Sequence, residues 1–390
     1  MNRCFKFIAA SLVLTLLLVD VARSQEKAAE AESLRLTLPP RCFATVGQPF
    51  NIYFDNVILT KTPEQYQFRV GVERDGKPSI VGEARERHWT CTPQASDVGA
   101  HALRVTVFDR SDRELAKAKS ELIVTPADAG TGRKLTLLIV GDSLTHATIY
   151  PNELAKLMSQ PGNPQWTMLG THRPDGAAPG VAHEGYGGWT WEAFGSRYYE
   201  KPDLAKKQRT SPFVFVDAQG KPQLDPARYF DEKCGGQRPD VVTFLLGIND
   251  CFSASPDDPA KLDERIDAVF VHADKLLAAI RKAAPNADLA VCLCPPPNVR
   301  QEAFTANYQE RYTRWGWKRI QHRLVEREIQ HFGNRESDRI FLIPTELNVD
   351  PIDGYPNNNA VHPNAVGYRQ IAETIYAWLK RRMASTQAAK

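Results

Sequence analysis

Four short blocks of the chain carry residues with chemical capacity. Gly141-Asp142-Ser143-Leu144 ends an apolar run and offers a hydroxyl. His183-Glu184-Gly185-Tyr186-Gly187-Gly188-Trp189-Thr190 offers glycines and aromatic rings. Leu246-Gly247-Ile248-Asn249-Asp250 offers a side-chain amide, and Asn359-Ala360-Val361-His362-Pro363-Asn364 an imidazole near the C-terminus. A serine hydroxyl is a weak nucleophile until a base removes its proton. Histidine is suited to take that proton and return it near neutral pH. Attack on a carbonyl also needs donors for the oxyanion. The backbone N–H of Ser143, the N–H of Gly188 where no side chain obstructs approach, and the NH2 of Asn249 would supply three, each worth about 3 kcal/mol in the transition state. The chemistry such a set would perform is acyl transfer.

Each block has a plainer use when taken alone. Ser143 could cap a helix after a strand. Gly187-Gly188 could be a turn, Asn249-Asp250 an Asx turn, and His362-Pro363-Asn364 a helix start. For Asp142 and Asp250, hydrogen bonding within their loops is preferred over direct catalysis. His146 and His183 read as substrate-side or loop-stabilising residues rather than bases.

What gives the blocks joint meaning is where the elements must put them. Residues 135–140 form an apolar, β-branched run, as expected of a strand buried on both faces. Strands are expected at 134–141, 166–170, 241–247, 289–294 and 340–344, and helices at 150–160, 189–199, 261–284, 307–332 and 365–383. Alternating β and α implies a doubly wound parallel sheet with helices on both faces. Residues 212–224 read as an inserted hairpin. Serine, glycine loop and asparagine then all follow strand ends, where ligands bind in open α/β sheets.

Serine, glycine, asparagine and histidine, in that order and in that strand context, resemble the SGNH (GDSL-type) hydrolase family over roughly residues 134–384. The resemblance implies a flavodoxin-like α/β fold and an ester hydrolase with Ser143 as nucleophile and His362 as base. It implies an oxyanion hole of Ser143, Gly188 and Asn249, with no cofactor and no metal. One position departs from the pattern. Many members carry an aspartate three residues before the histidine; here that residue is Asn359. Three readings follow. Ser143–His362 acts as a dyad oriented by Asn359 or a backbone carbonyl, which is the preferred reading; or Asp353 serves as the acid; or the site is degenerate. An amide oxygen can orient the ring but cannot supply charge to an imidazolium.

The rest of the chain supplies context. A length of 390 residues suits two domains. Residues 1–24 read as a secretory leader, with Arg3 and Lys6 before an apolar run and Ala22-Arg23-Ser24 as a cleavage site. A secreted or periplasmic protein is therefore expected, with no membrane contact once the leader is removed. Losing Arg3, Lys6, Arg23 and Asp20 takes +2 from the formal charge of +3 and leaves +1, which argues against a nucleic-acid partner. Residues 33–125 alternate in short runs, as at 66–72 and 103–107, separated by turn signals; a small all-β sandwich is expected. Residues 126–133 read as a linker, and 134–385 as the second, catalytic domain.

Trp89-Thr90-Cys91 with Asp97-x-Gly99-x-His101 loosely resembles an immunoglobulin-like domain. That resemblance implies a Cys42–Cys91 bridge and puts His101 at a tyrosine-corner position. Cys292 and Cys294 read as buried apolar residues. His183, Tyr186 and Trp189 are candidate substrate contacts, and Trp191, Tyr312, Trp315 and Trp317 are further aromatics that could stack on sugar or pack in the core. The expected substrate is an acylated glycan or small ester, with deacetylation of carbohydrate preferred. The alternatives are an arylesterase, thioesterase or lipase of the same fold, or a non-catalytic glycan-binding pseudoenzyme.

Overall fold

The structure, a computed structural model, describes residues 34–385, so the expected leader at 1–24 lies outside the described residues. The N-terminal alternation becomes strands. β1 (Arg41–Thr45), β3 (Gln67–Arg74), β4 (Lys77–Pro78), β7 (Gly99–Phe108) and β8 (Glu114–Thr125) form a sheet ordered β1-β8-β7-β3-β4. β2 (Phe50–Tyr53), β5 (Glu83–Ala84) and β6 (His88–Cys91) form a second sheet ordered β2-β6-β5. Alternate residues of the two sheets, among them Val72, Leu103, Val105 and Leu122 against Ile52 and Trp89, share one core. A helical turn, α1 (Phe54–Val57), follows β2.

Cys42 and Cys91 lie in that core with both thiols free, so the bridge implied by the immunoglobulin resemblance is not formed. Burial pushes each thiol up to about 12. Both behave as small apolar residues, and Cys42 Sγ receives the Ser120 hydroxyl at 3.4 Å.

The second unit is built on β9 (Lys134–Gly141), β10 (Gln165–Leu169), β14 (Val241–Leu245), β15 (Asp288–Cys292) and β16 (Ile340–Ile343), all parallel and ordered β10-β9-β14-β15-β16. Counted within this unit, the order is second, first, third, fourth, fifth. That is the flavodoxin-like arrangement, whose winding reverses between β9 and β14. A two-residue strand, β11 (Glu184–Gly185), extends the edge beside the end of β9. The expected hairpin is present as β12 (Val214–Val216) and β13 (Pro222–Leu224).

The continuous apolar run of β9 is required because both faces are covered. Leu135, Leu137 and Ile139 meet α3 (Ile149–Met158) and α10 (Ala365–Ser385). Leu138 and Val140 face α4 (Trp191–Ser196), α5 (Pro226–Lys233), α6 (Pro259–Ala283) and α8 (Arg314–Phe332). One expected element is corrected. The helix read at 307–332 is two, α7 (Gln301–Tyr308) and α8. Gln309 turns into the left-handed region at φ 56°, which ends α7, and the Thr313 hydroxyl accepts the Gly316 N–H at 3.0 Å, which starts α8. No helix among the described residues is long and apolar enough to cross a membrane.

The two units are fastened along one segment, α9 (Thr345–Asn348) and the loop that follows it. Asn56, buried, donates from Nδ2 to the carbonyls of Glu346 (2.6 Å) and Val349 (2.8 Å). Arg87 bridges Asp350 (2.9 Å) and Asp353 (2.7 Å), and the buried Lys318 ammonium donates to the Asp55 carbonyl. Leu347 enters the N-terminal core, and Phe43 and Ile123 enter the core beneath α10. The expected linker at 126–133 is a run of tight turns, with Ala129 buried and Arg133 donating to the Met383 carbonyl at 2.6 Å. Truncating Asn56 would leave two buried carbonyls unpaired. Asn56→Ala is expected to destabilise the whole chain by about 1–3 kcal/mol, read as a lowered, still cooperative thermal transition by calorimetry.

Candidate active site

Ser143 stands where β9 stops. Gly141 is required there, because a Cβ would come within 1.9 Å of Thr145 Oγ1 as the chain turns back on itself. Asp142, not Ser143, is the N-cap of α2 (Ser143–His146): its carboxylate accepts the Leu144 N–H at 2.9 Å. The capping use of Ser143 is thereby removed. Its Oγ is free to lie 2.9 Å from His362 Nε2.

His362 is held by its own turn. Asn359 Oδ1 receives the backbone N–H of Val361 (3.3 Å), the backbone N–H of His362 (3.0 Å) and the ring Nδ1 of His362 (3.2 Å). The two backbone donors identify that atom as the amide oxygen, so the ring nitrogen facing it must carry hydrogen. Nε2 then points its lone pair at Ser143. Two residues that the sequence reading missed clamp this turn. Asn298, fully buried, donates to the carbonyls of Pro356 (2.9 Å) and Asn359 (3.0 Å). Asn307 Oδ1 accepts the Ala360 N–H at 2.6 Å. Asp353 is not beside the imidazole; its carboxylate pairs with Arg87 of the N-terminal unit. Burial holds the His362 imidazole below its ordinary value, because the cation is poorly solvated there.

Gly188 occupies the third position of a turn closed by Trp189 N–H to Tyr186 O at 3.2 Å, with φ 73°. Positive φ at that position is the type II geometry that calls for glycine. Neither the Gly188 N–H nor the Ser143 N–H is taken by a protein acceptor among the described residues. Asn249 differs from expectation. Its Nδ2 is engaged, donating to Asp142 Oδ2 and to the Trp189 carbonyl, each at 3.1 Å. It therefore ties the end of β14 to both the serine loop and the glycine turn. Asp142 and Asp250 are buried, and burial pushes each carboxyl up to about 7. Asp142 bonds within its own loop as expected, whereas Asp250 accepts the N–H of Trp191, 59 residues away, at 3.2 Å and so ties its loop to the start of α4.

Ser143, Asn249 and His362 open on a cavity of about 50 Å³. Its other walls are Phe252, Tyr308, Trp317, Val361 and the run Cys294-Pro295-Pro296-Pro297. Three consecutive prolines directly after β15 are the sequence signal that could have marked this wall, since each fixes its φ.

The three expected substrate contacts are placed elsewhere. His183 is fully buried, pairing Nε2 with the Thr148 hydroxyl at 2.9 Å and accepting the Gly185 N–H at Nδ1 (3.0 Å). Burial pushes it down to about 3. Tyr186 and Trp189 belong to the core under the sheet. Tyr186 donates its hydroxyl to the buried Glu184, which also receives the Tyr229 hydroxyl (2.7 Å) and the Thr171 N–H (2.6 Å). Trp191 stacks on Phe244 in the core, while Trp317 is the aromatic that reaches the cavity.

Comparison with known proteins gives a consistent family. Residues 139–370 match the model of the GDSL-like lipase/acylhydrolase family. No curated protein sequence matches the chain. Among solved structures, it is similar to a carbohydrate esterase family 3 protein from Talaromyces cellulolyticus at 17% identity and TM-score 0.39, covering 64% of this chain and 99% of that one. It is similar to a family two carbohydrate esterase from Clostridium thermocellum, solved with cellohexaose, at 18% identity and TM-score 0.34, covering 88% and 94%. A third is the M. smegmatis aryl esterase in inhibitor-bound form, at 14% identity and TM-score 0.35, covering 64% and 99%.

The two residues proposed to orient the base make opposite contacts, so they separate by mutation. Asn359→Ala removes the acceptor of three N–H groups and is expected to lower kcat for p-nitrophenyl acetate by about 10²-fold or more. Asp353→Ala, whose partner is Arg87, is expected to leave kcat within about twofold, any loss appearing in thermal stability. Steady-state kinetics on the two variants decides between them.

Proposed function

The chain belongs to the GDSL-like lipase/acylhydrolase family, and from that premise we propose that it is an exported serine esterase that removes small acyl groups, acetyl first, from carbohydrate. The observation that carries the reading is the 2.9 Å contact of Ser143 Oγ with His362 Nε2, made at the edge of a small cavity. In the reaction, Ser143 Oγ attacks the ester carbonyl carbon while His362 Nε2 takes the hydroxyl proton. The carbonyl oxygen becomes an oxyanion received by the N–H groups of Ser143 and Gly188. Asn249 is the third donor once one of its two bonds, to Asp142 or Trp189, is shared with that oxygen. Collapse breaks the bond to the alcohol oxygen, which leaves with the proton from His362. Water, deprotonated by His362, then attacks the acyl carbon; the bond to Ser143 Oγ breaks, His362 returns the proton to Oγ, and the acid departs. Asn359 holds the ring in the tautomer that makes each step possible but adds no charge to the imidazolium.

Acetyl is favoured by the narrowness of the cavity, about 50 Å³, which three prolines and the rings of Phe252, Tyr308 and Trp317 wall beside Ser143. The N-terminal unit is proposed as an immunoglobulin-like spacer over residues 33–125. The His101 ring bonds the Asp97 carbonyl at 2.6 Å, four residues upstream, as the hydroxyl of a tyrosine corner would.

Two measurements test the proposal. Against p-nitrophenyl esters of increasing length, kcat/KM is expected to fall by about tenfold or more from acetate to butyrate, and Ser143→Ala to abolish turnover. Equal rates for octanoate, or turnover that survives in Ser143→Ala, would sink it. For pH, His362 must be neutral to act, and burial disfavours its cation. Activity is therefore retained as pH falls through 6.5, the ordinary imidazole value, and lost only below it. Asp142 and Asp250 both change charge near 7, so the profile is compared with those of Asp142→Asn and Asp250→Asn, and the limb common to all three is that of His362.

A further inference from the structure

Two guanidinium groups stand at the rim of the glycine turn with no acid to meet them. Arg209 lies over the Tyr186 ring, 4.7 Å from its centroid, and Arg197 over the Trp189 ring at 4.8 Å. Those rings are themselves 4.6 Å apart, so the two cations rest on adjacent supports. Each is half-buried, and neither makes an ion pair or a side-chain hydrogen bond among the described residues. By contrast, Arg87, Arg323 and Arg335 all have carboxylate partners. Like charges packed together without a counter-ion are unfavourable, and stacking on aromatic faces returns only about 0.5–1 kcal/mol each at such sites. The patch continues toward the serine. His172 meets the Tyr186 ring at 5.4 Å between centroids, and its buried Nε2 has no partner among the described residues. His146 stacks on His172 at 4.9 Å and lies three residues after Ser143 on α2, one helical turn away. Its Nδ1 contacts the Gly185 carbonyl at 3.2 Å, leaving Nε2 outward on an exposed ring.

We propose that Arg197, Arg209, His172 and His146 form a subsite for a negatively charged sugar, lying beside the one that presents its ester to Ser143; this rests on the carbohydrate-esterase reading above. The shared chemistry is a planar or tetrahedral oxyanion on a pyranose, either the carboxylate of a uronic acid or a sulfate ester. Guanidinium offers both a forked pair of donors. The supporting rings hold the forks in place, so little side-chain freedom is lost on binding. The small cavity beside Ser143 takes the acyl group, and the basic rim takes the glycan. Substrate preference would then be set by charge on the neighbouring sugar rather than by the acyl pocket.

Calorimetric binding to the full chain tests this with unacetylated oligogalacturonate, a sulfated galactan oligosaccharide of the same length and a neutral xylo-oligosaccharide, each at low and high salt. One or both anionic oligomers are expected to bind at least about tenfold more tightly than the neutral one at low salt and to lose that advantage at high salt. Preference for the first identifies carboxylate, and for the second sulfate. The double variant Arg197→Gln/Arg209→Gln is expected to lose the advantage, while Arg197→Lys/Arg209→Lys keeps part of it, and thermal midpoints show that both fold. Wild type binding charged and neutral oligomers equally, or the glutamine variant weakening all three alike, overturns the subsite. Acetate release is read separately. Lack of Ser143-dependent turnover on every ester would defeat the esterase reading, yet the binding comparison would still decide whether the rim selects anions.

Discussion

The site depends on one oxygen atom. Asn359 Oδ1 accepts two backbone N–H groups of its own turn and the Nδ1–H of His362. Because backbone nitrogens can only donate, the amide cannot flip without burying like against like. The tautomer of His362 follows, and with it the lone pair facing Ser143. An aspartate in this place would do the same and add charge; the asparagine does only the geometric half of the task. That half is well secured, because Asn298 and Asn307 hold the turn from the segment after β15 and from α7. The N-terminal unit in turn braces the chain leading into it through Asn56 and Arg87.

The serine side is fixed by a different constraint, the crowding at the end of β9. Gly141 lets Thr145 fold back against the strand, Asp142 takes the capping duty, and Ser143 is left with an uncommitted hydroxyl at the first helical position. This happens at the point where the sheet reverses its winding, so β14 ends alongside and delivers Asn249. Asn249 Nδ2 bonds both the serine loop and the glycine turn. The spacing between the serine loop and the glycine turn is therefore a property of one amide and two strand ends, not of flexible loops.

Much of this was legible in the residues because strands buried on both faces leave an unbroken apolar signature. Five such runs in residues 134–344 matched the five main strands to within two residues at either end. The four chemistry-bearing blocks were legible because each sits at a strand end or helix start. What could not be read was which way a loop turns its rings. Tyr186 and Trp189 follow glycines and precede a helix, a pattern equally fit for a sugar platform or a core. A buried Glu184, which needs hydroxyl donors from Tyr186 and Tyr229 to be tolerated, decides for the core. The break at Gln309 was hidden because a single left-handed residue leaves no mark on apolar periodicity. The free thiols of Cys42 and Cys91 show that the pairing implied by the immunoglobulin resemblance was not encoded in these residues. The clamps at Asn298 and Asn307 depend on contacts more than fifty residues apart, which spacing alone does not encode.

The electrostatics of the pocket gives these pieces a common sense. Asp142, which lines the cavity, and Asp250 are buried, and desolvation pushes each carboxyl up to about 7. The residue behind the imidazole is neutral. The field at Ser143 is consequently more positive than a Ser-His-Asp arrangement would make it. Such a field opposes formation of imidazolium and favours formation of the oxyanion. The same groups therefore penalise the proton transfer and assist the charge that develops on the carbonyl oxygen.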